Sequence, residues 1–208
     1  MNTQTKHEVQ VDIRPTRIES AVVYLPFDEA LEALTEQGYE VISLDQNAQL
    51  RIQQGKDANI SRKGNWTREG VLYVPDKGVF LTRNSPIIQN AKEATQAHRE
   101  GGDYFLTDEQ TEQALQDSVQ FSAKDIPTNR FSENGITRYA FGKIAEQYGQ
   151  FLIEAGIKKM PVLRADLSDK PFARQIWFGV LGVSSELSGN YWGLNSDGML
   201  RGVKTLKL

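Results

Sequence analysis

The sequence predicts an α+β fold in a single domain spanning 1–208. It has about five helices, a long central helix over about 133–155, and two β-hairpins over about 71–82 and 190–203. Three observations lead there. Helical apolar stripes alternate with paired strand signals, without a regular βα rhythm. No Pro/Gly/Ser-rich linker divides the 208 residues. With 39% hydrophobic and 25% charged residues, the composition is that of a globular chain, which excludes wholesale disorder, collagen and coiled coil.

Residues 1–15 are polar, end at Pro15 and read as a loose N-terminal arm. Ala21 to Leu25 is a short apolar run of strand type. From Phe27 the spacing turns helical, with Phe27, Ala30, Leu31 and Leu34 at i, i+3, i+4 and i+7 and Gly38 as the stop. Tyr39 to Leu44 reads as a further strand, which leaves a parallel crossover and an antiparallel return equally open. Residues 45–70 are polar, with a short helix over Ala48 to Gln53.

Val71–Val74 and Val79–Thr82 flank Pro75-Asp76-Lys77-Gly78, the clearest turn chemistry in the chain. Ser85-Pro86 opens a helix to Arg99 in the favoured cap and first-turn positions, and Thr107 with Gln110 forms a capping box for a helix to about Ser118. The stripe Ile136, Ala140, Ile144, Tyr148, Phe151 and Ala155 predicts the long helix, capped at Ser132 or Asn134, with Ile144 and Phe151 deeply buried. Met160 to Leu163 suggests a strand. Asp169 and Pro171 open a last helix through Phe172, Ile176, Trp177, Val180 and Leu181. Asn195-Ser196-Asp197-Gly198 supplies the second hairpin turn.

Several chemistries lack their parts. Cysteine is absent, so disulfides, thiolate nucleophiles and Cys-based zinc sites are excluded. Only His7 and His98 exist, and no P-loop, GxGxxG, GxSxG, HExxH or EF-hand loop occurs. His98, at a helix C-terminus on the face of Ile87, Ala91 and Ala94, reads as structural. Asp166 and Asp169 are an acid pair, but Asp169 already serves as a helix cap. No metal or cofactor is specified. The start of the chain lacks a signal-peptide core, and no apolar run approaches a membrane span; the expectation is a cytoplasmic domain without membrane contact. The two sequons at Asn59 and Asn65 are then chance matches.

The formal charge of −3 is evenly divided, which argues against non-specific DNA binding by the whole chain. Three junctions set cations at helix starts, where unpaired N–H groups favour an anion. They are Arg83-Asn84 before Ser85-Pro86, Asn129-Arg130 before Ser132, and Arg174 with Lys170 around Pro171. Ile126-Pro127 fixes an extended approach to the second junction, with Arg138 further along its helix. Arg62, Lys63, Trp66 and Arg68 form a cation-rich loop that reads as a flap: exposed, it suits stacking on a base, and buried, Trp66 is its anchor. Trp177, Tyr191 and Trp192 add aromatics near the C-terminus.

The leading expectation is an anion-binding domain for a nucleotide, phosphorylated metabolite or nucleic-acid segment. Its contacts are Arg83, Asn84, Asn129, Arg130, Arg138 and Arg174. The alternatives are an enzyme on a phosphorylated or carboxylated small molecule, with Glu133 or an Asp as acid-base, and a structural or homo-oligomer-forming protein.

Overall fold

The computed structural model describes residues 10–12, 18–182, 185–190 and 193–205. The chain opens with β1 (Gln10–Asp12), β2 (Ile18–Leu25), α1 (Phe27–Glu36), β3 (Glu40–Val41), α2 (Leu44–Gln54) and α3 (Asn59–Arg62). It continues with β4 (Asn65–Val74), β5 (Gly78–Thr82), α4 (Pro86–Gln89), α5 (Ala91–Arg99), β6 (Tyr104–Phe105) and α6 (Asp108–Leu115). Strands β7 (Ser118–Phe121) and β8 (Lys124–Pro127) lead into a 3-10 segment, Thr128–Glu133. Helix α7 (Gly135–Phe141), a 3-10 turn at Gly142–Ile144 and α8 (Ala145–Glu154) follow. The chain ends in β9 (Lys159–Arg164), β10 (Phe172–Phe178), β11 (Leu187–Gly189) and β12 (Gly198–Thr205).

All twelve strands join one mixed sheet whose main path runs β1-β2-β12-β4-β10-β11-β9-β8. The alternating side chains of its central strand, β4, divide the core. Val71 and Tyr73 enter a cluster with Phe172, Ile176, Phe178 and the inner faces of α2, α7 and α8. Leu72 and Val74 enter a second cluster with Ala173, Leu200 and the inner faces of α1, α5 and α6. Helices cover both faces, so β4 is buried nearly throughout, and its second half, Val71–Val74, reads as a continuous apolar run.

This architecture corrects the α+β expectation of about five helices, one long central helix and two hairpins. The described residues hold eight α-helices and two 3-10 segments around the mixed sheet. The stripe over 133–155 is two helices, because Gly142 adopts φ 51°, ψ −129° and ends α7. Ile144 and Phe151 are only half-buried; Tyr148 and Leu152 are the deeply buried members. The segment after Pro171 is β10, paired with β4, β6 and β11. Among the described residues of 190–203 no hairpin forms: β11 pairs with β9 and β10, whereas β12 pairs with β2, β3 and β4. At Pro75–Gly78, β4 and β5 do pair antiparallel, and Asp76 at φ 61° turns the chain. β2 and β3 both run antiparallel to β12, so the unit over 21–44 is a parallel crossover with β12 between its strands. The arm proposed for 1–15 lies mostly outside the described residues.

Candidate functional site

Chemistry-bearing side chains converge where β6 and β10 meet the loop over 165–171. β10 pairs with β6 through Phe172↔Phe105 and Ala173↔Tyr104, which brings Asp103 beside Arg174. The Arg174 guanidinium donates from Nε to Asp103 Oδ1 at 2.7 Å and from Nη2 to Oδ2 at 3.0 Å. This two-pronged bond fixes both groups. Arg174 also lies 5.4 Å from the Phe172 ring centroid and 5.9 Å from that of Tyr73, and those two rings stack at 4.2 Å.

Tyr73 ties the loops to this stack. Its hydroxyl donates to the Gly189 carbonyl at 2.8 Å and accepts the Ala165 N–H at 2.9 Å. Burial pushes the phenol up to about 12, so it remains a neutral donor. On the outer side, Phe105 is 50% exposed, yet its ring sits edge-on to Phe172 at 6.5 Å. Lys170 Nζ stands 5.8 Å from the centroid of Phe105, and Leu167 in the same loop is 47% exposed. Asp166 and Asp169 are exposed in that loop. Within electrostatic reach of Asp103 and Arg174 lies buried His98, whose carbonyl accepts from Asn195 Nδ2 at 3.2 Å. Burial lowers its imidazole pKa, against the pull of Asp103, and favours the neutral ring. The result is a rigid aromatic platform rimmed by charges of both signs.

The other residues singled out from sequence lie apart from it. Arg83 docks on α7, its Nη2 donating to the Tyr139 carbonyl at 3.1 Å and its guanidinium covering the Tyr139 ring at 4.6 Å. Asn84 and Arg138 are exposed. Of the two caps expected, Ser132 and Asn134, the structure uses Asn134, whose Oδ1 accepts the Ile136 N–H at 2.9 Å, and the helix starts at Gly135. Arg130 turns to Glu133 at 2.8 Å, in a pair open to solvent. Asn129 lines a cleft of about 860 Å³ whose charged lining residues are Glu146 and Glu154. Arg174 sits on a strand, so no helix start adjoins it. Trp66 is buried, edge-on to Trp177 at 5.0 Å, while Arg62 and Lys63 are exposed and Arg68 is half-buried. The flap is therefore an anchored strand entry. Tyr191 and Trp192 lie outside the described residues.

Sequence reading passed over Asp103, Phe105 and Tyr73. The one available signal was the pair of aromatics Tyr104-Phe105 directly after Gly101-Gly102-Asp103. Among the described residues, no three His, Asp or Glu side chains stand close enough to hold a metal ion, and no helix is long and apolar enough to cross a membrane.

No family model matches this sequence, and no curated protein matches it. A solved structure described as "Accommodation of massive sequence variation in Nanoarchaeota by the C-type lectin fold" superposes with a TM-score of 0.67 over 92% of this chain and 99% of that one. The two sequences are 16% identical. The likeness is one of fold. It replaces the predicted arrangement of hairpins around a central helix with a C-type lectin-like architecture, in which the C-terminal strand lies inside the sheet.

Proposed function

We propose that this chain is a recognition module that binds a polypeptide partner through the face formed by Asp103, Phe105, Lys170 and Arg174. The observation that carries this reading is Phe105, half exposed yet held in orientation by Phe172. Protein interfaces concentrate their binding energy in aromatic and arginine anchors, and a ring already fixed loses little freedom on binding. Arg164, which donates to the Ala165 carbonyl at 3.0 Å and whose charge reaches Tyr73, joins Lys170 and Arg174 as three cations against the three acids Asp103, Asp166 and Asp169. A face balanced in this way suits a mixed-charge polypeptide better than a polyanion. The nanoarchaeal neighbour is described as accommodating massive sequence variation on its fold. A sheet buried on both faces leaves surface loops free to differ, which is consistent with recognition by loops.

An anionic ligand is the second reading. Arg174, the candidate cation packed against the Tyr73–Phe172 stack, favours it, with an anion competing against Asp103 for the guanidinium. Arg83 and Arg130 lie away from this face and bond to Tyr139 and Glu133. The test has two arms. Peptides are selected on the protein from a displayed random library, and their affinities are compared for wild type and Phe105→Ala. Loss of an aromatic anchor is expected to weaken selected peptides by roughly 30-fold or more. Peptides indifferent to Phe105 would overturn the polypeptide reading. In parallel, thermal shifts are recorded with sulfate, phosphate and ATP. Stabilisation of wild type that Arg174→Ala abolishes would favour the anion instead, at about 2.7 kcal/mol for a ligand at 100 times its dissociation constant.

A further inference from the structure

We propose that the groove between α1 and the α4–α5 pair is a second docking surface, one that accepts a basic amphipathic helix of another protein. The groove encloses about 570 Å³. Its floor is Leu31, Ile88 and Ala91, apolar side chains half-buried against the second core cluster. Asn90, at φ −128°, ψ 42°, interrupts the helix between α4 and α5, and its amide donates to the Pro86 carbonyl at 2.8 Å. Ile88 and Ala91, on either side of that break, both line the groove.

The walls supply the charge. Asp28, Glu32 and Glu36 stand at i, i+4 and i+8 on α1, one above another along the groove, and Glu93 faces them from α5 with Lys92 as the sole cation. Arg99 reaches Asp28 at 3.8 Å and Glu29 at 3.2 Å, which neutralises only the first turn of α1. Among the described residues Glu32, Glu36 and Glu93 have no ion-pair partner. Glu36 lies in the last turn of α1, where no basic residue offsets the negative end of the helix dipole. Carboxylates and dipole therefore reinforce one another at that end. A lysine or arginine from a partner relieves both, while a partner's apolar stripe covers the floor. The span from Asp28 to Glu36 is about 12 Å, a little over two helical turns. The occupant is thus a short helix with apolar residues at i, i+3, i+4 and i+7 and lysine or arginine on its flanks. This surface is independent of the Phe105 face.

The test uses a fluorescein-labelled Leu/Lys amphipathic peptide of about 18 residues, long enough to approach helicity alone. A scrambled peptide of identical composition is the control. Fluorescence anisotropy is read on the full chain at about 0.15 M salt, where long-range attraction is screened. The expected result is binding of the patterned peptide, roughly tenfold weaker binding of the scrambled one, and at least a roughly tenfold loss on Glu32→Lys/Glu36→Lys. These positions are exposed, so folding should persist; Glu93→Lys on the facing wall gives a second readout if it does not. Equal binding of the two peptides, equal binding to wild type and folded variants, or no binding at about 100 µM would overturn the proposal.

Discussion

Glu69 is a carboxyl group buried in the middle of the sheet, and it answers to pH. Its side chain accepts the Leu44 N–H at 3.0 Å, at the first turn of α2. Burial dominates and pushes its pKa from 4.5 to about 7. The Leu44 N–H, its own backbone and the charge of Arg68 pull the other way, while Asp45 adds a push upward. The folded-state value exceeds that of the unfolded chain, so the folded protein holds the proton more tightly between them. The stability this group contributes is fully present below about 4.5 and is lost as pH rises through about 7, a swing of at most about 3 kcal/mol. Denaturant midpoints for wild type should fall across that window relative to those of Glu69→Gln, which has no proton to lose. Parallel pH profiles for the two would remove Glu69 as the cause. In the sequence, Glu69 was one more acid in a polar stretch. It lies at a register shift between β4 and β10, where Gln175 Nε2 donates to the carbonyls of Thr67 and Glu69.

At the scale of elements, apolar periodicity marked the helical segment between Ile136 and Ala155 but not its interruption. A stripe specifies which face is buried; it is silent on a glycine at φ 51°. Gly142 has no neighbour within 4 Å of an added Cβ, so Gly142→Ala tests backbone strain alone. The expected loss is about 1–3 kcal/mol in urea denaturation. Gly149 differs. A Cβ there would stand 2.8 Å from Phe131 Cβ and 3.4 Å from the Thr128 carbonyl, because α8 packs directly on the 3-10 segment. Gly149→Ala should cost about 1–3 kcal/mol by overpacking, and it would narrow the cleft beside Asn129. An unchanged midpoint would show for Gly142→Ala that the backbone at φ 51° carries no strain, and for Gly149→Ala that the contact of α8 with the 3-10 segment yields freely. β10 was misread for a related reason. Phe172, Ile176 and Trp177 fit helical spacing, but a run of seven residues fits a two-sided buried strand equally well. The turn chemistry of Pro75–Gly78 and the Thr107–Gln110 capping box were legible because both are settled within four residues.

For the whole molecule, local signals run out where distant segments meet. β12 runs beside β2 over eight residues and also touches β4, so this last described strand completes the interior of the sheet. The candidate site is non-local too: Asp103 meets Arg174 across 71 positions, and Tyr73 meets Gly189 across 116. Sequence singled out Arg174 as a cation, at a helix start that does not exist. It missed the platform that gives the residue its setting. If recognition resides at that platform, stability and binding separate: Phe105→Ala should leave the denaturant midpoint within about 1 kcal/mol of wild type while peptide affinity collapses. The most direct measurement is a map of backbone amide shifts in isotope-labelled protein as a selected peptide is titrated in. A recognition face at Phe105 requires the largest changes over Asp103–Leu106 and Lys170–Arg174, with α8 and the Asn129 cleft undisturbed. Changes concentrated in that cleft, or spread evenly over the surface, would contradict it.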